Sequence, residues 1–112
     1  METLIEKAGN VHILHLRGRL DLTASAEFGK LLEEIINGGS NQIVMECRDL
    51  QYVSSSGLGA FISAAKKLGQ DGRLVFVELN STVQNVFELT GIASLFAIYR
   101  SKEDGLQFLS GE

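Results

Sequence analysis

Ile43-Val44-Met45-Glu46-Cys47-Arg48-Asp49-Leu50-Gln51-Tyr52-Val53-Ser54-Ser55-Ser56-Gly57-Leu58-Gly59 is the stretch on which the fold turns. Residues 42–47 are a short, almost unbroken apolar run, the signature of a strand buried on both faces. After the serines, Leu58, Phe61, Ile62, Ala65 and Leu68 recur at helical spacing, and Gly69 ends the pattern. The three hydroxyls therefore sit at a strand-to-helix corner. The first-turn N–H groups of a helix have no intrahelical partner and carry partial positive charge. A phosphoryl group on a serine there would meet donors already aimed at it. The segment can thus serve as a cap, through Ser54 or Ser55, as an anion site, or as a modification site.

Working outward, Thr3–Glu6 and Val11–Arg17 read as strands joined by the turn Ala8-Gly9-Asn10. Phe28, Leu31, Leu32, Ile35 and Ile36 form a helical stripe, with Thr23 as the expected N-cap and Gly38-Gly39 as its end. Leu74–Val77 is a second buried strand. Ser81-Thr82-Val83-Gln84 has the form of a capping box ahead of the stripe Val83, Val86, Phe87, with Gly91 at the C′ position. Phe96–Tyr99 reads as a last strand, and Ser101-Lys102-Glu103-Asp104 opens a terminal helix. Alternating strands and helices of these lengths predict an α/β domain, a mixed sheet of four to five strands packed against about four helices. In such sheets functional groups gather where strands hand over to helices. The expected loop 48–56, with Arg48, Asp49, Gln51 and the three serines, is the richest such place.

At 112 residues with 45% hydrophobic side chains, the chain is one domain over residues 1–112 with one core. The net charge of −4 and scattered cations, with Lys66-Lys67 the only adjacent pair, leave no phosphate-backbone footprint, so no nucleic-acid partner is expected. No apolar run approaches the ~20 residues of a membrane span, and no charged-then-apolar leader opens the chain. A cytoplasmic protein without direct membrane insertion is the expectation. Cys47 is the single cysteine, so no internal disulfide forms, and its strand setting makes it a small hydrophobe. His12 and His15 stand at odd spacing on one strand, which puts them on opposite faces and excludes a local metal-chelating pair. Neither a cofactor nor a metal is expected.

Enzyme chemistry finds little support. No Gly-x-Ser-x-Gly elbow surrounds the serines, and both histidines lie early in the chain. Ser-Ser-Ser-Gly-Leu-Gly lacks the Lys-Ser/Thr ending of a phosphate-binding loop, and Gly57 and Gly59 are only part of a dinucleotide fingerprint. No catalytic residue is assigned.

Taken together, Gly18-Arg19-Leu20-Asp21 and residues 43–59 resemble the STAS domain of anti-sigma factor antagonists. That family pairs an early Gly-x-Leu/Ile-Asp with a later apolar strand and Asp-Ser-Ser/Thr/Ala-Gly-Leu-Gly. Gly18, Leu20 and Asp21 fit the first element; Ser55, Ser56, Gly57, Leu58 and Gly59 fit the second. The resemblance implies a non-catalytic partner-switching protein. Unphosphorylated, it would bind an anti-sigma factor that is itself a GHKL-type serine kinase, and phosphorylation at Ser55 would release it. A PP2C-type phosphatase would reset the cycle. The implied partner-binding residues are Asp21, Asp49, Ser54, Ser55, Ser56, Gly57 and Leu58. Ser54 stands where the family usually has an acidic residue, which makes Ser54 and Ser56 competing acceptors. Glu46 replaces a common Asp. STAS-only proteins also serve as accessory subunits of ABC-type lipid transporters, bound to the ATPase, and that is the alternative implied role.

Overall fold

The computed structural model describes residues 1–110. Five strands form one sheet in the order β1-β2-β3-β4-β5: β1 (Glu2–Ala8), β2 (Val11–Leu20), β3 (Gln42–Val53), β4 (Arg73–Val77) and β5 (Ala97–Tyr99). β1 pairs antiparallel with β2 across the Gly9-Asn10 turn, and every other pairing is parallel. The parallel strands are connected by α1 (Leu22–Asn37), α2 (Ser55–Leu68) and α3 (Ser81–Leu89), and α4 (Lys102–Leu109) closes the described chain. This is the mixed α/β architecture that the alternating elements predict.

The two faces of the sheet carry separate cores. Leu14, Leu16, Leu20, Ile43, Met45, Leu50 and Phe76 point to the α1–α2–α3 side and meet Phe28, Leu32, Leu58, Phe61, Val83 and Phe87. Phe61 and Phe76 anchor an edge-to-face aromatic cluster, with centroids 4.9 Å apart. On the other face Val11, Ile13, Val44, Val75 and Val77 pack with Leu106 and Leu109 of α4. Period-two alternation along β2 and β4 sorts these residues without exception.

Three sequence expectations are corrected. Residues 48–53 are not a loop but the second half of β3. The ladder to β2 skips a residue between His15 and Arg17 and again between Gly18 and Arg19, so Arg48-Asp49 and Gln51-Tyr52 are bulges that keep Leu50 and Val53 inward. Asp21, not Thr23, caps α1, its carboxylate accepting the Ala24 amide at 2.9 Å. Asn80, one residue before the expected capping box, caps α3 by accepting the Val83 amide at 3.0 Å. Gly91 does occupy a left-handed conformation (φ 78°) just after α3, and Ser101 caps α4.

Candidate functional site

The parallel pairing of β2 and β3 brings Leu20 opposite Val53, so both strands end together and α1 and α2 start side by side. The first turns of the two helices are tied to one another. The Ser54 amide and the Ser54 hydroxyl both donate to the Leu20 carbonyl, each at 2.9 Å. Ser54 Oγ accepts the Gly57 amide at 3.1 Å, and the Leu58 amide donates to the Ser54 carbonyl at 3.0 Å. Ser25 of α1 donates to the Asp21 carbonyl at 2.6 Å and stands 3.4 Å from Ser54 Oγ. Ser54 is therefore the N-cap of α2 and the clasp between two helix starts, the role open to any short side chain that presents an oxygen.

With Ser54 consumed as a cap, Ser55 and Ser56 occupy the first two positions of α2 and are exposed. Their amides are first-turn donors without an intrahelical acceptor. Ser56 borders a shallow groove of about 530 Å³ between α1 and α2, lined by Leu22, Ala26, Gly29, Gly59, Ala60 and Ser63 among others. A group placed on Ser55 meets solvent and the helix dipole, not a packed wall.

Gly57 and Leu58, expected to contact a partner, are buried. A Cβ on Gly57 would lie 2.8 Å from Leu20 Cγ and Cδ2 and 3.1 Å from Val53 Cγ1. The glycine lets α2 press onto the strand ends. Leu58, 7% exposed, belongs to the larger core. Both hold the corner in place from below. Asp21 is exposed and lies at the corner as the α1 cap. Asp49 does not join it. It sits on a β3 bulge across from Arg17, on the far face of the sheet.

The sequence reading missed two participants. Leu22, next to Asp21, is 72% exposed; it lies off the apolar stripe of α1, which was a readable signal. The two N–H groups of Asn80 Nδ2 are shared among the carbonyls of Leu50 (2.7 Å), Arg48 (3.1 Å) and Cys47 (3.3 Å), pinning the first bulge of the strand that leads into Ser54. Nothing in the sequence local to Asn80 announces that long-range role. Glu78, whose φ of 56° is the one left-handed non-glycine backbone among the described residues, turns the chain out of β4 and pairs with Arg48.

His12 and His15 lie on opposite faces of β2, as their spacing requires, and His15 Nε2 is 2.9 Å from Glu6 Oε1. Cys47 is fully buried, and burial, together with the neighbouring Glu46 charge, pushes its thiol far above the usual range, so no reactive thiolate forms in the folded state. Among the described residues no His, Cys, Asp and Glu cluster could hold a metal ion, and no helix is long and apolar enough to cross a membrane.

A fold with a capped serine corner at the ends of its central strands defines a STAS-type α/β domain. The sequence matches the STAS domain over residues 2–105, and the chain belongs to that family. Among curated relatives, the candidate anti-sigma factor antagonist BtrV of Bordetella bronchiseptica is 31% identical over 104 residues, 92% of this chain and 90% of that protein. A candidate anti-sigma factor antagonist from Thermotoga maritima shares the fold with a TM-score of 0.88 at 23% identity, covering 94% of this chain and 92% of its own. The anti-sigma factor antagonist SpoIIAA in its unphosphorylated form gives 0.85 at 22% identity, over 99% and 98% of the two chains.

Proposed function

We propose that this protein is a non-catalytic anti-sigma factor antagonist that switches partners through phosphorylation of Ser55. The observation that carries this reading is the division of labour at the corner. Ser54 spends its hydroxyl on Leu20 and Gly57, whereas Ser55 stands exposed at the first position of α2. In its unphosphorylated form the corner of Asp21, Leu22, Ser54, Ser55 and Ser56 docks onto an anti-sigma factor that is also a GHKL-type serine kinase. The kinase supplies the nucleotide and transfers its terminal phosphoryl group to Ser55, and a PP2C-type phosphatase removes it. Ser54 in place of an acidic residue is compatible with this scheme, because its oxygen caps α2 as a carboxylate would.

Phosphorylation adds about −1.5 to −2 charges. At a helix N-terminus that charge is favoured by roughly 0.3–2 kcal/mol, so the domain stays folded. The cost falls on the complex, whose partner site already holds nucleotide phosphates. A thousandfold loss of affinity needs only about 4 kcal/mol, which like charges in a partly desolvated interface supply. The test is affinity of Ser55→Asp for the cognate kinase. The reading expects binding to be lost with the melting temperature nearly unchanged; wild-type affinity in that variant refutes the charge switch. Co-purification with a transport ATPase, and no phosphate incorporation from any kinase, would instead assign the accessory-subunit role.

A further inference from the structure

β1 is one edge of the sheet, and among the described residues no strand pairs with its outer side. It is 7 residues long, against 3 for β5 at the opposite edge, and it carries neither proline nor a break in its register with β2. Such an edge is a template for a further strand unless a bulge, proline or charge blunts it. Its apolar side chains are also uncovered: Leu4 is 61% exposed on one face of the strand and Ile5 49% on the other. The backbone groups left free follow from the turn. A two-residue hairpin closes on a hydrogen-bonded pair, here Ala8 with Val11. Alternating from there, Glu6, Leu4 and Glu2 exchange bonds with β2, whereas Lys7, Ile5 and Thr3 aim their N–H and C=O groups outward.

A second copy of β1, laid antiparallel, fits this edge in one register. With a twofold axis at Ile5, that residue faces Ile5 of the second copy and Thr3 faces Lys7 on either side of it. Every outward group then meets a partner, in about six ladder hydrogen bonds. Leu4 stands opposite Glu6 and Glu2 opposite Ala8, so no like charges face one another. Moving the axis to Leu4 sets Glu2 against Glu6, and moving it to Glu6 sets that carboxylate against its own copy. The charges of the strand therefore select a register instead of closing the edge. In the favoured register the two Glu6 side chains are diagonal neighbours, and each already has His15 at 2.9 Å and Lys102 at 3.5 Å. We propose that the protein self-associates through β1, joining two sheets into one across a twofold axis at Ile5. Because the copies run antiparallel, their serine corners lie at opposite ends of the joined sheet and both stay open. The association is independent of what the corner binds.

Sedimentation equilibrium and amide hydrogen exchange of the full chain, from micromolar to millimolar protein at neutral pH, test this. A monomer–dimer equilibrium is expected. The amides of Thr3, Ile5 and Lys7 should gain protection as concentration rises, while those of Leu4 and Glu6, already bonded to β2, stay as they are. Ile5→Lys and Ile5→Glu each set like charges against one another at the axis and should weaken association by roughly tenfold or more. An equimolar mixture of the two should recover it as a heterodimer. Amide exchange in the wild-type chain decides the matter if either variant does not fold. A chain that stays monomeric at millimolar concentration or a dimer that leaves the three edge amides unprotected overturns the proposal. So do variants that associate as tightly as wild type, or a mixture no tighter than either variant alone.

Discussion

Replacing Ser54 with alanine removes one hydroxyl, and the structure says what that hydroxyl holds. Its oxygen is the acceptor for the Gly57 amide at 3.1 Å, and its proton goes to the Leu20 carbonyl at 2.9 Å. Loss of an N-cap of this type costs about 1 kcal/mol. Leu20 keeps the Ser54 amide as a donor, so the second bond contributes an ordinary net value of about 1 kcal/mol and leaves no orphaned acceptor. The sum is about 2 kcal/mol. For a domain of this size, about 1 kcal/mol moves the melting temperature by roughly 4 °C, which places the expected fall near 8 °C, about 2 kcal/mol in all. Ser55→Ala is the matched control: its side chain is exposed and outside the cap, so its effect should stay within about 0.5 kcal/mol. Thermal and urea unfolding of the two variants beside wild type read this directly. If Ser54→Ala falls no further than Ser55→Ala, the cap does not hold the corner and the division of labour among the serines is wrong.

Other substitutions test neighbouring parts of the argument. Gly59→Ala meets nothing within 4 Å and should raise stability by about 0.5–1 kcal/mol. Gly57→Ala drives a methyl into Leu20, so overpacking of about 1–3 kcal/mol outweighs the same helix gain; urea midpoints moving in the same direction contradict this. Asn80→Asp retains the α3 cap but loses both N–H donors to the β3 carbonyls and sets a carboxylate oxygen against them, and should cost at least about 2 kcal/mol. A residue acting only as a cap would tolerate the change. Burial, and then the Glu78 charge, hold the Glu46 carboxyl above the ordinary glutamate range. The folded state therefore keeps a proton that the unfolded state has released, and stability from this group declines as pH rises through the raised value. Urea midpoints of Glu46→Gln minus wild type should grow from acid to neutral pH, and a difference that shrinks would reverse the assignment.

Elements marked by unbroken apolar runs or helical stripes were legible, because their burial is written in local periodicity. The strands Leu74–Val77 and 42–47 and the stripes from Phe28 and Leu58 belong to this group. Helix starts were less so. Asp21 and Thr23 are both good caps, and α1 begins two turns before its stripe does, so spacing alone could not choose. The second half of β3 was hidden by its bulges, which put Arg48-Asp49 and Gln51-Tyr52 outward in pairs and break the alternation that marks a strand. At the candidate site the sequence located the serines and Asp21, but not which serine is spent as the cap. That depends on the Leu20 carbonyl, 34 residues earlier, arriving at the end of β2. Asp49 was misplaced for the same reason: a bulge, not a loop, decides which face it takes.

The central claim is that Ser55, alone among the three serines, is the switch. Mass spectrometry of the protein isolated from its native cells, resolving phosphorylation within residues 54–56, tests it most directly. The account predicts phosphoserine at Ser55 with Ser54 unmodified. Phosphate on Ser54 would place the modification on the cap itself and contradict the account, as would a segment that carries no phosphate under any growth condition.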